Sequence, residues 1–147
     1  MAKSYEGFSE DERAAMKEYA AELKTSARRG SGAKKAEAEE KDCEEKIAAL
    51  SGTDRAIGEK LHAIVKTSTE LSPKTWYGMP AYARDGKVVV FFKPASKFKV
   101  RYAEVGFNEW AALDSGDMWP TVFAVTDMTP AIENKLATLV KKAARPL

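Results

Sequence analysis

Few side chains in this sequence are of the types that carry out chemistry. The chain has one histidine, His62, and one cysteine, Cys43. No pattern supplies His62 with a nucleophile or an orienting carboxylate, and phosphate-binding loops, C-x-x-C and H-E-x-x-H are absent from the sequence. Cys43 falls on the apolar stripe of a predicted helix, which favours a small buried side chain over a reactive thiol. We therefore expect a surface histidine, an interior cysteine and no enzymatic activity.

Carboxylates are concentrated in one short stretch, and they are the first candidates for a metal site. Residues 37–45 contain six of them. Glu37, Glu40 and Glu44 are spaced i, i+3 and i+7, so they share one face of a helix, and carboxylate oxygens are suitable ligands for iron. Lysines interleaved with these acids fit an alternative, a solvated face with i,i+4 ion pairs. Glu37, Glu40 and Glu44 are the predicted metal ligands.

Cations and aromatic rings are concentrated in a second stretch, residues 76–102. Between residues 84 and 101 there are six cations and one acid, Asp85. Cations beside aromatic faces could hold a small anionic ligand or stack exposed bases, whereas lysines on exposed strands also protect a sheet edge from aggregation. The predicted ligand site has aromatic walls formed by Trp76, Tyr82 and Trp119. Its charge is supplied by Lys93, Lys99 and Arg101. A sequence pI of 8.6 makes nucleic acid the weaker candidate ligand.

Helical periodicity fills the first half of the chain. Ser9 and Glu12 form the S-x-x-E pattern of a capping box before the first helix, which ends at Gly30-Ser31-Gly32. A second, highly charged helix is predicted over 33–50 and a third, with a broad apolar face, over 54–71. The first two have thin apolar stripes (Met16, Tyr19, Leu23, Ile47 and Leu50), so we expect them to pack on the domain or on a second chain.

The pattern then changes to the period of two that is typical of strands. We predict strands over 75–84, with a bulge or bend at Gly78-Met79-Pro80, and over 88–92, joined by a two-residue turn at Asp85-Gly86. Further strands are predicted over 98–102 and 118–126, separated by a short helix after Asn108. Thr129-Pro130 has the composition of a helix start.

This order of elements predicts an α+β fold with an antiparallel sheet of about four to five strands, helices packed on one face and an N-terminal helical pair. We divide the chain into an extension, residues 1–52, and an α+β domain, residues 53–147. The lone cysteine suits a reducing compartment, and the sequence contains neither a signal-peptide pattern nor a run of about 20 apolar residues. These features predict a soluble cytoplasmic protein without a membrane partner.

The sequence also resembles the YdhG-like domain family. The resemblance covers roughly residues 53–145 and is carried by Trp76, Gly78-Met79-Pro80, Tyr82 and Gly86-Lys87. The longer stretches K-T-W-Y-G-M-P-A-Y-A-R-D-G-K-V and D-M-W-P-T are similar to an actinobacterial branch that carries charged N-terminal helices. The resemblance implies a frataxin-like α+β fold. It also implies possible iron handling, since some members are described as iron chaperones and many have no assigned function.

Together these observations predict a non-enzymatic module that binds a small anionic ligand or a metal, with iron as the possible metal. The alternative is an adaptor that grips a protein partner, or a second copy, through the N-terminal helices. The sequence leaves the choice between a monomer and a homodimer open.

Overall fold

The computed structural model of the chain describes residues 7–147, so residues 1–6 of the predicted extension lie outside the described part. The helices are α1 (Glu10–Arg29), α2 (Ala33–Ala48), α3 (Gly52–Ser68), α4 (Ala95–Phe98) and α5 (Pro130–Ala143). The strands are β1 (Ser72–Trp76), β2 (Met79–Arg84), β3 (Lys87–Lys93), β4 (Ala103–Phe107) and β5 (Val122–Val125). All strand pairs are antiparallel, and the strands lie in the sheet in chain order. The predicted α+β class is confirmed.

One face of the sheet forms the core with the helices. Tyr82 lies opposite Val90, and Val90 lies opposite Phe107, so these side chains project to the same face. They belong to a cluster of buried side chains that also takes in Leu61 of α3 and Val140 of α5. Strand alternation therefore places Tyr82 directly beneath the helices.

Helix α2 packs along β1 and reaches β2. Its Cys43 and Ile47 belong to the same buried cluster as the strands and α3. The boundary predicted after residue 52 therefore does not coincide with a break in the core. In the part of the chain that the structure describes, no helix combines the length and the apolar character needed to cross a membrane.

Several local predictions at the ends of elements are confirmed. Ser9 accepts a hydrogen bond from the Glu12 amide, and the Glu12 side chain accepts one from the Ser9 amide, which completes the capping box. Asp85 and Gly86 have φ angles of 52° and 79°, as a type I′ turn between β2 and β3 requires. Thr129 caps α5 through the Ile132 amide, and Pro130 is the first helical residue.

The predicted strand over 75–84 is wrong, because it is two strands joined by a tight turn. Tyr77 and Gly78 both have positive φ, 54° and 73°, and the chain reverses there so that Trp76 pairs with Met79. The bulge or bend expected at Gly78-Met79-Pro80 is a full reversal that includes Gly78, and a separate register shift of β2 against β3 lies between Tyr82 and Ala83.

The strand predicted over 98–102 is also wrong. The carboxylate of Asp54 accepts hydrogen bonds from the amides of Ala95 and Ser96, at 3.1 and 2.9 Å, and so holds the start of the one-turn helix α4. Lys99 then takes the left-handed conformation, with φ 53°, and ends that turn. The alternation of apolar and charged residues after Pro94 therefore belongs to a helical turn and a loop, and β4 begins only at Ala103.

The segment between β4 and β5 is irregular. Instead of the helix predicted after Asn108, the amide of Ala111 bonds to the Asn108 carbonyl and the amide of Ala112 bonds to the carbonyl of Ala143 at the end of α5. The strand predicted over 118–126 is shortened to Val122–Val125. Pro120, which has no N–H to donate to a ladder, lies outside it.

Candidate functional site

The candidate site lies where α2, α3 and the buried side of β2 meet. Glu40, Cys43 and Glu44 are one turn apart on α2, so they share the side of that helix that turns toward α3. His62 comes from α3, and Tyr82 comes from β2 beneath both helices. Three separate elements therefore bring together a thiol, an imidazole, a phenol and two carboxylates.

A line of polar contacts runs from the interior to the surface at this point. The sulfur of Cys43 lies 4.0 Å from the Tyr82 hydroxyl and 4.0 Å from Nδ1 of His62. The Tyr82 hydroxyl lies 3.1 Å from Nδ1 of His62, and Nε2 of His62 lies 3.5 Å from Oε2 of Glu44. Cys43 and Tyr82 are fully buried, whereas the His62 side chain keeps 15% of its surface exposed. The expectation of a surface histidine is therefore wrong, and that of an interior cysteine is confirmed.

The hydrogen atoms along this line can be arranged in two ways. In the first, the Cys43 thiol donates to Tyr82, the Tyr82 hydroxyl donates to Nδ1 of His62, and the N–H on Nε2 points toward Glu44. In the second, Nδ1–H of His62 donates to Tyr82, and the hydroxyl turns toward the sulfur. The second arrangement leaves a lone pair on Nε2 directed at the carboxylates. The imidazole can therefore act as a metal ligand without losing its buried partner.

Burial controls the ionisation of the two interior groups. It raises the pKa of the Cys43 thiol to about 12, against the lowering effect of the Tyr82 hydroxyl. Burial also raises the pKa of Tyr82 well above its ordinary value, and the neighbouring Cys43 adds to that rise. Both groups are therefore neutral at physiological pH. A protonated, fully buried thiol is a poor nucleophile, so this line of contacts is better suited to orienting His62 than to covalent catalysis.

The surface end of the line has the composition of a metal site. One ligand atom each from Glu40, Glu44 and His62 lie within 4.8 Å of one another. Ligand atoms bound at about 2 Å in a tetrahedral site lie about 3.3 Å apart, so modest side-chain rotations would bring these three together. Lys66 donates to Glu40 at 2.8 Å and so neutralises one of the acids in this structure.

Helical spacing predicted that Glu40 and Glu44 share one face of α2, which the structure confirms, but it grouped them with Glu37. Glu37 is exposed one turn before Glu40 and does not belong to the group that includes His62. His62 itself was missed. No spacing within α2 or α3 pairs His62 with these glutamates, because their proximity depends on how the two helices pack.

The aromatic walls of the predicted ligand site do not come together. Tyr82 is fully buried beneath α2 and α3 and cannot wall an open cleft. Trp76 ends β1 at one edge of the sheet, and Trp119 precedes β5 at the other. They line separate clefts of about 470 and 600 Å³. The first contains more acids than cations, Glu18, Glu22, Glu39, Asp42 and Glu45 against Arg29, Lys46 and Lys74.

Each cation predicted to hold an anion lies beside an aromatic ring or an acidic side chain. Lys93 lies over the ring of Phe98, 5.0 Å from its centroid, and Arg101 lies 5.0 Å from the ring centroid of Tyr102. Lys99 is in the loop after α4, where its ammonium group is 3.7 Å from Asp11 of α1. The strand that was expected to align Lys99 with Arg101 is not formed, so strand alternation does not place these two cations on one face.

Comparison of the chain with protein-family models, with curated proteins and with solved structures finds no match in any of the three. The resemblance to the YdhG-like family therefore remains a prediction from its sequence motifs.

Proposed function

We propose that this protein is a non-enzymatic metal-binding module that takes a divalent first-row transition metal at Glu40, Glu44 and His62. The observation that carries the proposal is the contact between the only histidine and a buried tyrosine. The Tyr82 hydroxyl, 3.1 Å from Nδ1, can accept a hydrogen bond from Nδ1–H, which leaves the lone pair of Nε2 beside the carboxylate of Glu44. Histidine ligands in proteins are commonly oriented through their second nitrogen in this way.

The ligand types favour certain metals. Imidazole suits iron, zinc, copper and nickel, whereas magnesium and calcium sites are built from oxygen alone. A set of one imidazole and two carboxylates therefore favours Fe²⁺ or Zn²⁺. Iron is the metal that the resemblance to the YdhG-like family implies, and it would be cargo here rather than a structural component.

Three features support reversible loading. Three protein ligands leave room for water or for a donor from a partner, unlike the closed four-ligand sites that hold structural zinc. Glu44 has a largely exposed side chain, and Glu40 must exchange its contact with Lys66 for the metal. A metal ion would therefore bind at the surface and compete with an existing ion pair. Both features favour release of the metal to a partner. The free thiol of Cys43 fits a reducing compartment such as the cytoplasm.

Calorimetric titration of the untagged protein with Zn²⁺, and with Fe²⁺ under anaerobic conditions, tests this function. His62→Gln and Glu44→Gln should each weaken binding at least about tenfold, since even residues that only orient a metal ligand contribute that much. Glu37→Gln is the matched control, because it removes an exposed carboxylate from the same helix outside the group. Wild-type protein that binds neither metal, or His62→Gln protein that binds as tightly as wild type, would refute the proposal.

A further inference from the structure

The turn between β1 and β2 binds a carboxylate of the protein's own first helix. Glu22 of α1 accepts two hydrogen bonds there, from the Tyr77 amide at 2.9 Å and from the Gly78 amide at 2.8 Å. One carboxylate oxygen accepts each bond. Because both residues have positive φ, consecutive amides of the turn point to the same side and form a small concave anion site.

An aromatic ring of the same helix stacks beside that carboxylate. The rings of Tyr19 and Tyr77 are nearly parallel, at 7°, with centroids 4.1 Å apart. Trp76 meets the ring of Tyr77 edge-on at 5.0 Å and so supports it from another side. Tyr19 and Glu22 are three residues apart and so lie on the same side of the helix. One can therefore stack on the Tyr77 ring while the other binds the neighbouring turn amides.

A second carboxylate of α1 completes the contact. Glu18 binds Lys46 of α2 at 2.9 Å and Lys97 of α4 at 2.6 Å. It also lies so close to Gly78 that a Cβ atom at that position would overlap its carboxylate. Glycine at position 78 suits the positive φ of the turn, and a larger residue would also require the end of the Glu18 side chain to move.

Helix α1 is held by these polar contacts more than by the core. Ala15 is its one buried residue, and Leu23, which was expected to pack, is 53% exposed. The connection to α2 contains Gly30 and Gly32, both with positive φ, so it can reverse its direction at low cost. An element with a small apolar contact and a glycine hinge is suited to exchange between two copies of a chain.

We propose that the Tyr77–Gly78 turn is a binding site for a helical segment that carries a tyrosine and, three residues later, a glutamate. The chain's own α1 occupies this site, and the α1 of a second copy can replace it. The complementarity needed for the exchange is that of the intramolecular contact, since the two segments are identical. The site is separate from the metal ligands, and the proposal does not depend on metal binding.

Two full-length variants with complementary defects test the exchange. Tyr19→Ala/Glu22→Gln removes both recognition groups from α1 and leaves the turn intact. Gly78→Ala leaves α1 intact and weakens its contact with the turn, because alanine is strained at the positive φ and displaces the Glu18 carboxylate. We expect each variant alone to sediment as a monomer, and an equimolar mixture to form a heterodimer in which the intact helix occupies the intact turn. Lys24→Ala, an exposed change on α1, is the control for the double variant. Mixed with Gly78→Ala it should form no heterodimer, because its own α1 still occupies its turn.

A synthetic peptide of residues 7–29 serves as the donor if Gly78→Ala does not fold. It should bind the Tyr19→Ala/Glu22→Gln protein at least about tenfold more tightly than wild type, where the tethered α1 competes at an effective concentration in the millimolar range. A peptide with the same two substitutions should not bind. The proposal is overturned if the folded variants stay monomeric when mixed, or, in the peptide experiment, if wild-type and double-variant proteins bind the peptide equally.

Discussion

The Tyr82 hydroxyl lies 3.1 Å from Nδ1 of His62, which links the only histidine of the chain to the buried side of the sheet. A histidine held in this way cannot rotate its ring without breaking a hydrogen bond in the interior. Its other nitrogen is therefore fixed on the side of Glu40 and Glu44. This single contact holds a partly exposed imidazole in one orientation.

Replacing Tyr82 with phenylalanine should affect stability and metal binding together. The ring would still fill its place in the core, but His62 would lose its buried hydrogen-bond partner. We expect the free energy of unfolding to fall by about 1–3 kcal/mol, the usual effect of leaving a buried polar group without a partner. Metal affinity should fall about 10- to 100-fold, as when other groups that orient a ligand are removed.

Urea unfolding and metal titration measure these two effects. Tyr102→Phe is the control, because that tyrosine is only partly buried and lies next to Arg101 rather than His62. A Tyr82→Phe protein with unchanged metal affinity would show that the hydroxyl does not orient the imidazole.

The Cys43 thiol should be unreactive in the folded protein. It is fully buried, and burial raises its pKa to about 12, so neither access nor ionisation favours attack on a disulfide reagent at pH 8. We expect the reaction with Ellman's reagent to be limited by unfolding and to become rapid in 6 M guanidinium chloride. Fast stoichiometric reaction of the native protein would contradict the buried position of the thiol.

The attachment of α1 should weaken in acid. Burial tends to raise the pKa of Glu18, but hydrogen bonds from Lys97 and Lys46 outweigh it and hold that pKa below its ordinary value of 4.5. A carboxyl with a lowered folded-state pKa stabilises the fold above its unfolded pKa and loses that contribution as the pH falls through the folded value. Wild-type protein should therefore lose more stability below about pH 4.5 than Glu18→Gln protein does. Parallel losses in the two proteins would show that Glu18 does not contribute.

Asp54 should be important for the segment between β3 and β4. It is 8% exposed, and besides the amides of Ala95 and Ser96 its carboxylate binds the Ser96 hydroxyl at 2.5 Å. Asp54→Ala would leave those donors without their acceptor, so we expect a loss of about 2–3 kcal/mol in thermal or urea unfolding. Glu59→Ala on the exposed side of α3 should change stability by no more than about 0.5 kcal/mol. Equal effects of the two substitutions would refute this role for Asp54.

The sequence correctly predicted the features that depend only on residues close together in the chain. The capping box at Ser9, the turn at Asp85-Gly86 and the start of α5 at Thr129-Pro130 each depend on neighbouring residues, and each was predicted correctly. The turn at Tyr77-Gly78 was not, because a tyrosine with positive φ is uncommon and here depends on a carboxylate 55 positions away. The turn at α4 likewise depends on Asp54, about 40 positions earlier.

The candidate site could be predicted only in part for the same reason. Helical spacing placed Glu40 and Glu44 on one face of α2. The contact of His62 with Tyr82 joins residues 20 positions apart, across the packing of α3 on β2. No periodicity within either element indicates that contact. The strand predicted over 98–102 failed for a different reason, since alternating residues there are compatible with a short helical turn as well as with a strand.

The two ring nitrogens of His62 provide the most direct test of the proposed metal site. Because the chain has one histidine, nitrogen NMR of uniformly ¹⁵N-labelled, untagged protein shows one imidazole without ambiguity. On saturation with Zn²⁺ we predict that the Nε2 signal moves to a metal-bound position while Nδ1 remains protonated and bonded to Tyr82. Ring signals that stay unchanged at saturating Zn²⁺, or coordination through Nδ1, would contradict the proposed site.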